Sequence, residues 1–215
     1  MTPGLIGIAS GKIGRYREFD MCVYNVYSPP ESGIDLEIGD EIARNYNNMV
    51  RKMLAGKYEW LWILGDDHVF NQDLLKNLLE RDVDVVVPMC VRRSPPYTPV
   101  LCADREHGYK VLDFEWVKGK SGLVELTDVT AGNAGMLIKR HVFEQMPEPW
   151  FENGKTFPHV GGCDVWFCQK LLDLGIKVYL DMDNLIGHLT HVGIWYDEGI
   201  PTVRNAGWQT FRETT

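Results

Sequence analysis

The pattern of apolar and polar positions divides the chain clearly in its first ninety residues. Residues 5–9 (LIGIA) form a short apolar run closed by Ser10 and Gly11, which reads as a buried first strand running into a turn. Residues 16–27 read as a helix of mixed polar and aromatic character, broken by Ser28-Pro29-Pro30, and residues 34–38 alternate enough for a second strand. Asp40 stands where a helix N-cap belongs. After it Ile42, Ala43, Tyr46, Met49, Val50, Met53 and Leu54 recur at helical spacing until Gly56. Residues 58–64 (YEWLWIL) are apolar almost throughout, as a strand buried on both faces should be, and they stop at Gly65-Asp66-Asp67-His68. Asn71 is placed to cap a helix carrying Leu74, Leu75, Leu78 and Leu79, and residues 83–87 (VDVVV) predict a further buried strand closed by Pro88. Strand, helix, strand, helix, strand is the signature of an α/β layered domain with a largely parallel sheet.

The second half is less regular. Residues 92–99 read as a proline-broken loop, and residues 109–114 and 123–129 as paired strands. Residues 134–138 predict a short buried strand leading into a brief helix at 141–145. A Pro- and Trp-rich loop at 147–162 precedes a helix at 164–174, ended by Gly175, and residues 176–180 predict the last strand. The tail from Gly193 reads as a loop. There is no internal repeat, low-complexity tract or obvious linker, so a single domain over residues 1–215 is expected.

Composition narrows the class. The chain of 215 residues is 45% hydrophobic and 24% charged, which excludes disorder and collagen-like repeats. A formal net charge of −8 argues against a phosphate backbone as main partner, so no nucleic acid is expected. No apolar run approaches the roughly 18 residues needed to span a bilayer, so no transmembrane segment is expected. The five cysteines are scattered, with no C-x-x-C pair, and the simplest account is a reduced, cytoplasmic chain without a zinc finger.

Asp66-Asp67-His68 is the strongest chemical signal. It lies at the carboxyl end of a central strand, where open α/β sheets place their ligands. Adjacent carboxylates repel, a divalent cation removes that repulsion, and oxygen ligands with one or two imidazoles suit Mn²⁺ or Mg²⁺. The bland alternative is a turn cap with a surface histidine. Gly161-Gly162-Cys163-Asp164 opens a helix; Asp164 is either a base or binding group held ionised by the helix N-terminus, or an ordinary N-cap. His188 and His191 follow the final strand and gain interest if they reach the Asp66-Asp67-His68 edge. Arg44-Asn45 suits a phosphate and a base or sugar edge, or else is a solvated helix face. Gly132-Asn133-Ala134-Gly135 is either a close backbone approach to a ligand or a plain turn. Trp150, Phe151, Trp166, Trp195, Tyr196 and Trp208 include core residues, and their number also agrees with a carbohydrate or other flat acceptor.

The ordered segments LIGIAS, IARN, WLWILGDDHVF, AGNAGMLIKRHVFE, PWF and GGCDVWFCQKLLDLGIKVYLDMDNLIGHLTHVG resemble a nucleotide-sugar glycosyltransferase of the GT-A fold, nearest the broad family 2 type. The resemblance covers roughly residues 5–192 and is good from Arg44 onward. It implies a Rossmann-like three-layer sandwich with a mostly parallel central sheet, residues 1–90 forming a nucleotide-binding half, 91–192 an acceptor-side half and 193–215 a tail or lid. It implies a metal-dependent transferase moving a sugar from a nucleotide-sugar donor, UDP- or GDP-linked, to a carbohydrate or other hydroxyl acceptor, with inversion preferred. Asp66-Asp67-His68 matches the metal and diphosphate motif in one of two registers. Either Asp66 faces the ribose and Asp67 the metal, or Asp66 and His68 are the ligands. His188 matches the late histidine that completes the metal site. Asp164 matches the acceptor base, preceded here by Cys163 where many members carry Glu. Ser10, Arg44 and Asn45 match the nucleotide contacts, and Gly132 and Asn133 the loop beneath the donor sugar. The 147–162 loop and the tail are the implied lid. The rival readings are a nucleotidyltransferase, against which stands the lack of a Gly-rich basic loop near the first strand, and a non-catalytic nucleotide-sugar-binding domain, which Cys163 favours.

Overall fold

A computed structural model describes residues 1–11, 15–39, 41–103, 110–153 and 162–190, and the backbone alone at 192–197 and 200–205. In chain order the elements are β1 (Leu5–Ser10), α1 (Arg17–Asn25), β2 (Gly33–Ile38), α2 (Ile42–Ala55), β3 (Trp60–Gly65), β4 (His68–Val69), α3 (Leu74–Glu80) and β5 (Val85–Met89). Then come β6 (Leu101–Ala103), β7 (Lys110–Val111), α4 (Phe114–Val117), β8 (Leu123–Leu126), β9 (Val129–Ala131), β10 (Met136–Lys139) and α5 (Arg140–Glu144). The last are α6 (Cys163–Asp173), β11 (Val178–Leu185), β12 (Gly187–His188), β13 (Val192–Asp197) and β14 (Ile200–Asn205).

Seven strands make one sheet in the order β2-β1-β3-β10-β5-β11-β8. Five of them run parallel, and β10 and β8 run against them. The sheet draws strands from both halves of the chain. Its pleat sends alternate side chains to opposite faces. Leu61 and Ile63 of β3 join a core with α2, α5 and α6, whereas Trp60, Trp62 and Leu64 join a second core with α1 and α3. The fold is therefore a helix–sheet–helix sandwich of the mixed α/β class, and the apolar YEWLWIL run is the strand buried on both faces.

Several local expectations give way to tertiary context. Pro88 lies inside β5 rather than after it. It sits opposite Asp181, where β11 leaves the ladder and resumes at Leu185 opposite Met89. A missing N–H is tolerated beside such a bulge. The bulge is held by Asp181, fully buried, which accepts two bonds from Arg81 at 2.8 and 2.9 Å and one from Asn184 at 2.7 Å. Residues 109–114 and 123–129 are not partners. Within the first, Lys110–Val111 pairs with β6 and α4 begins at Phe114; the second bends at 127–128, so β8 pairs with β11 and β9 with β6. Asn71 does not cap α3; its Oδ1 accepts from Asp73 N at 3.1 Å, a turn one step earlier. Asp40 lies outside the described residues. The tail is not a loop throughout, since β13 and β14 pair as an antiparallel ribbon. Among the described residues no helix is long and apolar enough to cross a membrane.

Because β1, β3, β5 and β11 are parallel, Ser10, Gly65, Met89 and Leu185 end along one edge of the sheet. β10 runs the other way, with Met136 opposite Ile63, so Asn133 reaches that same edge from its amino side.

Candidate metal and substrate site

Beyond that edge β4 and β12 form a two-residue antiparallel ladder with His68 directly opposite His188. Opposed residues share a face, and the two rings lie 5.5 Å apart between centroids. Leu189 N donates to the Asp67 carbonyl at 2.7 Å, which locks the acidic turn to the same clip. Asp67, His68 and His188 thereby bring one potential ligand atom each within 4.8 Å of one another.

The two imidazoles are prepared differently. His188 donates its Nδ1–H to the Val91 carbonyl at 3.1 Å and turns Nε2 toward Asp67 Oδ2 at 3.2 Å. A backbone carbonyl on one ring nitrogen fixes the other as the ligating lone pair. Burial opposes a charge on His188, but the Asp67 carboxylate outweighs it and lifts the imidazole to about 10. Burial likewise opposes ionisation of Asp67, and the neighbouring His188, His68 and Arg93 overcome it, so that carboxyl lies below its ordinary range. His68 is buried, which draws it down to about 4 and leaves it neutral. Its Nδ1 accepts from Gly65 N at 3.0 Å, so its proton sits on Nε2, 4.0 Å from Asp67 Oδ1. His68 thus faces Asp67 as a donor, while His188 offers a lone pair once deprotonated.

Asp66 points the other way. Its Oδ2 accepts from Ser10 Oγ at 2.7 Å and Gly11 N at 3.2 Å, tying β3 to the end of β1. Asn45 is buried and donates to the Gly39 carbonyl at 3.2 Å; its Oδ1 has no partner among the described residues. Arg44 is exposed beside it. Gly39 N donates in turn to the Ser10 carbonyl at 3.0 Å, so Ser10, Arg44, Asn45 and Asp66 share the β1 end of the edge.

Asp164 lies in the first turn of α6, whose N-cap is Gly162. Its Oδ2 accepts from Asn133 N at 2.8 Å and its Oδ1 from Val165 N at 2.9 Å. Gly132 makes that approach feasible, because a Cβ there would stand 2.4 Å from Val100 Cγ1 and 3.2 Å from Asp164 Oδ2. Gly135 adopts φ +78°, a left-handed conformation that favours glycine. Tyr46, on the inward face of α2, is pushed well above the ordinary phenol range by burial and then by the Asp164 carboxylate, with a smaller contribution from Asp67. One hydroxyl thus feels both acidic centres. Burial raises the Cys163 thiol to about 12, so it is not an anion.

Two residues of this edge are not among the sequence candidates. Arg93 donates Nη1 to Asp67 Oδ2, and Tyr46 looked like one more apolar position of α2. The hint the sequence offers for Arg93 is the basic pair Arg92-Arg93 in the loop after β5. One expectation is met and one shifts. Trp150 and Phe151 are core: Trp150 Nε1 donates to the Phe143 carbonyl, and Phe151 stacks on Phe167 at 4.3 Å and exchanges bonds with Asn47. The first part of the 147–162 loop is therefore anchored rather than free to close. Residues 154–161, His191, Trp208 and the side chains of Trp195 and Tyr196 lie outside the described residues.

No known family model matches the chain, and no curated protein matches it. Among solved structures, A197 from STIV is similar at 17% identity and a TM-score of 0.57, over 87% of this chain and 86% of that one. At that identity the likeness shows a shared α/β fold and nothing further.

Proposed function

We propose that the chain is a divalent-metal-dependent glycosyltransferase of GT-A type, with Asp67 and His188 as metal ligands and Asp164 as the base that takes the acceptor proton. The observation that carries this reading is the convergence of Asp67 Oδ2 and His188 Nε2, 3.2 Å apart, on the edge that also holds Asp164 and Asn133. A carboxylate oxygen with an imidazole whose far nitrogen is fixed by a carbonyl suits Mn²⁺ or Mg²⁺. Of the two registers of the acidic motif, the Ser10 and Gly11 bonds to Asp66 favour Asp66 on the nucleotide side and Asp67 on the metal. His68 then serves as a buried support that holds Gly65 and faces Asp67.

When bound, the cation would neutralise charge developing on the nucleoside diphosphate leaving group. Ser10, Arg44 and Asn45 Oδ1, which has no partner among the described residues, would receive the nucleotide. Asp164 has each oxygen held by one backbone N–H, which fixes its direction and leaves lone pairs for an acceptor hydroxyl. Attack from the face opposite the leaving group inverts the anomeric centre.

The test is a thermal-shift screen of UDP- and GDP-sugars with and without Mn²⁺, because a ligand of the native state raises the midpoint by mass action. A Mn²⁺-dependent rise for one donor is expected, and no response to any donor would remove the reading. Asp164→Asn should keep that rise and lose transfer; unchanged turnover would move the base elsewhere. Cys163 in place of an acid supports a second reading, a nucleotide-sugar-binding domain without turnover. It predicts the same midpoint rise with no transfer in the unmodified protein.

A further inference from the structure

Arg93 follows β5 on a narrow loop. The loop is closed by the Val91–Pro99 bridge, by Arg92 N donating to the Thr98 carbonyl at 2.8 Å, and by Tyr97 N donating to the Ser94 carbonyl at 2.9 Å. The base of the loop is fixed, while the Arg93 side chain is 57% exposed and reaches in to Asp67, whose own side chain is 14% exposed. Its Nη1 meets Oδ2, the same oxygen that faces His188 Nε2. A guanidinium therefore stands where the proposed divalent ion would bind.

We infer that Arg93 is an exchangeable counter-ion: it balances Asp67 in the metal-free protein, gives way to the cation, and then pairs with the diphosphate of the donor. The inference rests on the metal reading above. A guanidinium and a divalent cation on one carboxylate oxygen repel each other, and an exposed side chain on a fixed loop can turn away from Asp67 without disturbing the core. A diphosphate beside the cation brings at least two negative charges within the reach of the same side chain. The planar fork of arginine matches phosphate oxygens two at a time, which lysine does not. Arg93 then has opposite effects on two ligands, competing with the metal and assisting the nucleotide.

The opposition is measurable. Mn²⁺ binding to the full chain is followed by the electron paramagnetic resonance of the free ion, then UDP and GDP binding at saturating Mn²⁺ by calorimetry, for wild type, Arg93→Met and Arg93→Lys. Arg93→Met should bind Mn²⁺ about threefold more tightly, as removal of an exposed ion pair permits, and bind the preferred nucleoside diphosphate about tenfold more weakly. Arg93→Lys should recover part of the competition and little of the diphosphate affinity. If Arg93→Met leaves both affinities unchanged, or weakens both together, the inference fails and the metal site stands. If wild type binds neither diphosphate, the inference fails as well. If wild type does not bind Mn²⁺, both the inference and the metal reading fall.

Discussion

The two edges of the central sheet make opposite use of charge. At the amino edge lies a hollow of about 570 Å³, lined by residues such as Thr2, Trp60, Leu78, Lys139 and Arg140. Its cations are spent on the scaffold. Arg140 donates to the carbonyls of Met53, Leu54, Gly56 and Tyr58, closing the carboxyl end of α2, and Lys139 pairs with Asp82 at 2.8 Å. At the carboxyl edge Asp67 holds His188 and Arg93 on a single oxygen, and Asn45 carries an acceptor with no partner among the described residues. The difference lies in Arg140, which is tied to backbone carbonyls alone, and Asp67, whose single oxygen is shared by two cationic side chains.

Three measurements would break or sharpen that contrast. Asp67→Ala should weaken Mn²⁺ binding about 100-fold, in line with the loss of a metal ligand or its support, and should lower the urea midpoint at neutral pH, because His188 loses the carboxylate that holds its proton. Retained affinity would mean that the carboxyl edge is scaffold too. Arg140→Met should lower stability by about 2–3 kcal/mol, since several helix-end carbonyls lose a charged donor, with the Mn²⁺ titration unchanged. A loss of Mn²⁺ affinity there would join the two edges into one system. The third measurement concerns pH, where the change per unit is the smallest of the three. Nε2 of His188 must be free of its proton to ligate, and the imidazole sits at about 10 in the metal-free protein. Mn²⁺ affinity should therefore rise with pH, by up to about tenfold per unit below that value, and His188→Gln should flatten the slope. The sign for stability is the reverse. With its value raised from 6.5 to about 10, protonated His188 stabilises the metal-free fold fully below 6.5, and that contribution fades as pH climbs through about 10.

What the sequence made legible was whatever repeats over several residues. YEWLWIL, VDVVV and the Ile42-to-Leu54 periodicity predict β3, β5 and α2 because burial on a sheet or helix face imposes a period. β4, β6 and β12 span two or three residues each, too short for any period to register. Pro88 reads as a breaker, since its compatibility with a strand depends on a bulge that exists only in the folded sheet. The acidic motif and His188 were nameable from residue type and position. Their division of labour was not, because it depends on what lies behind each ring: the Gly65 N–H for His68 and the Val91 carbonyl for His188. Arg93 was invisible for the same reason, its partner being set by how two loops meet.

The β4–β12 clip has a consequence for assembly. Its paired histidines are distant in the chain, so they meet only after the strands between them have found their places. A cation bound there would report completion: a misfolded or half-formed population would leave manganese free in solution, and the bound fraction would count finished molecules.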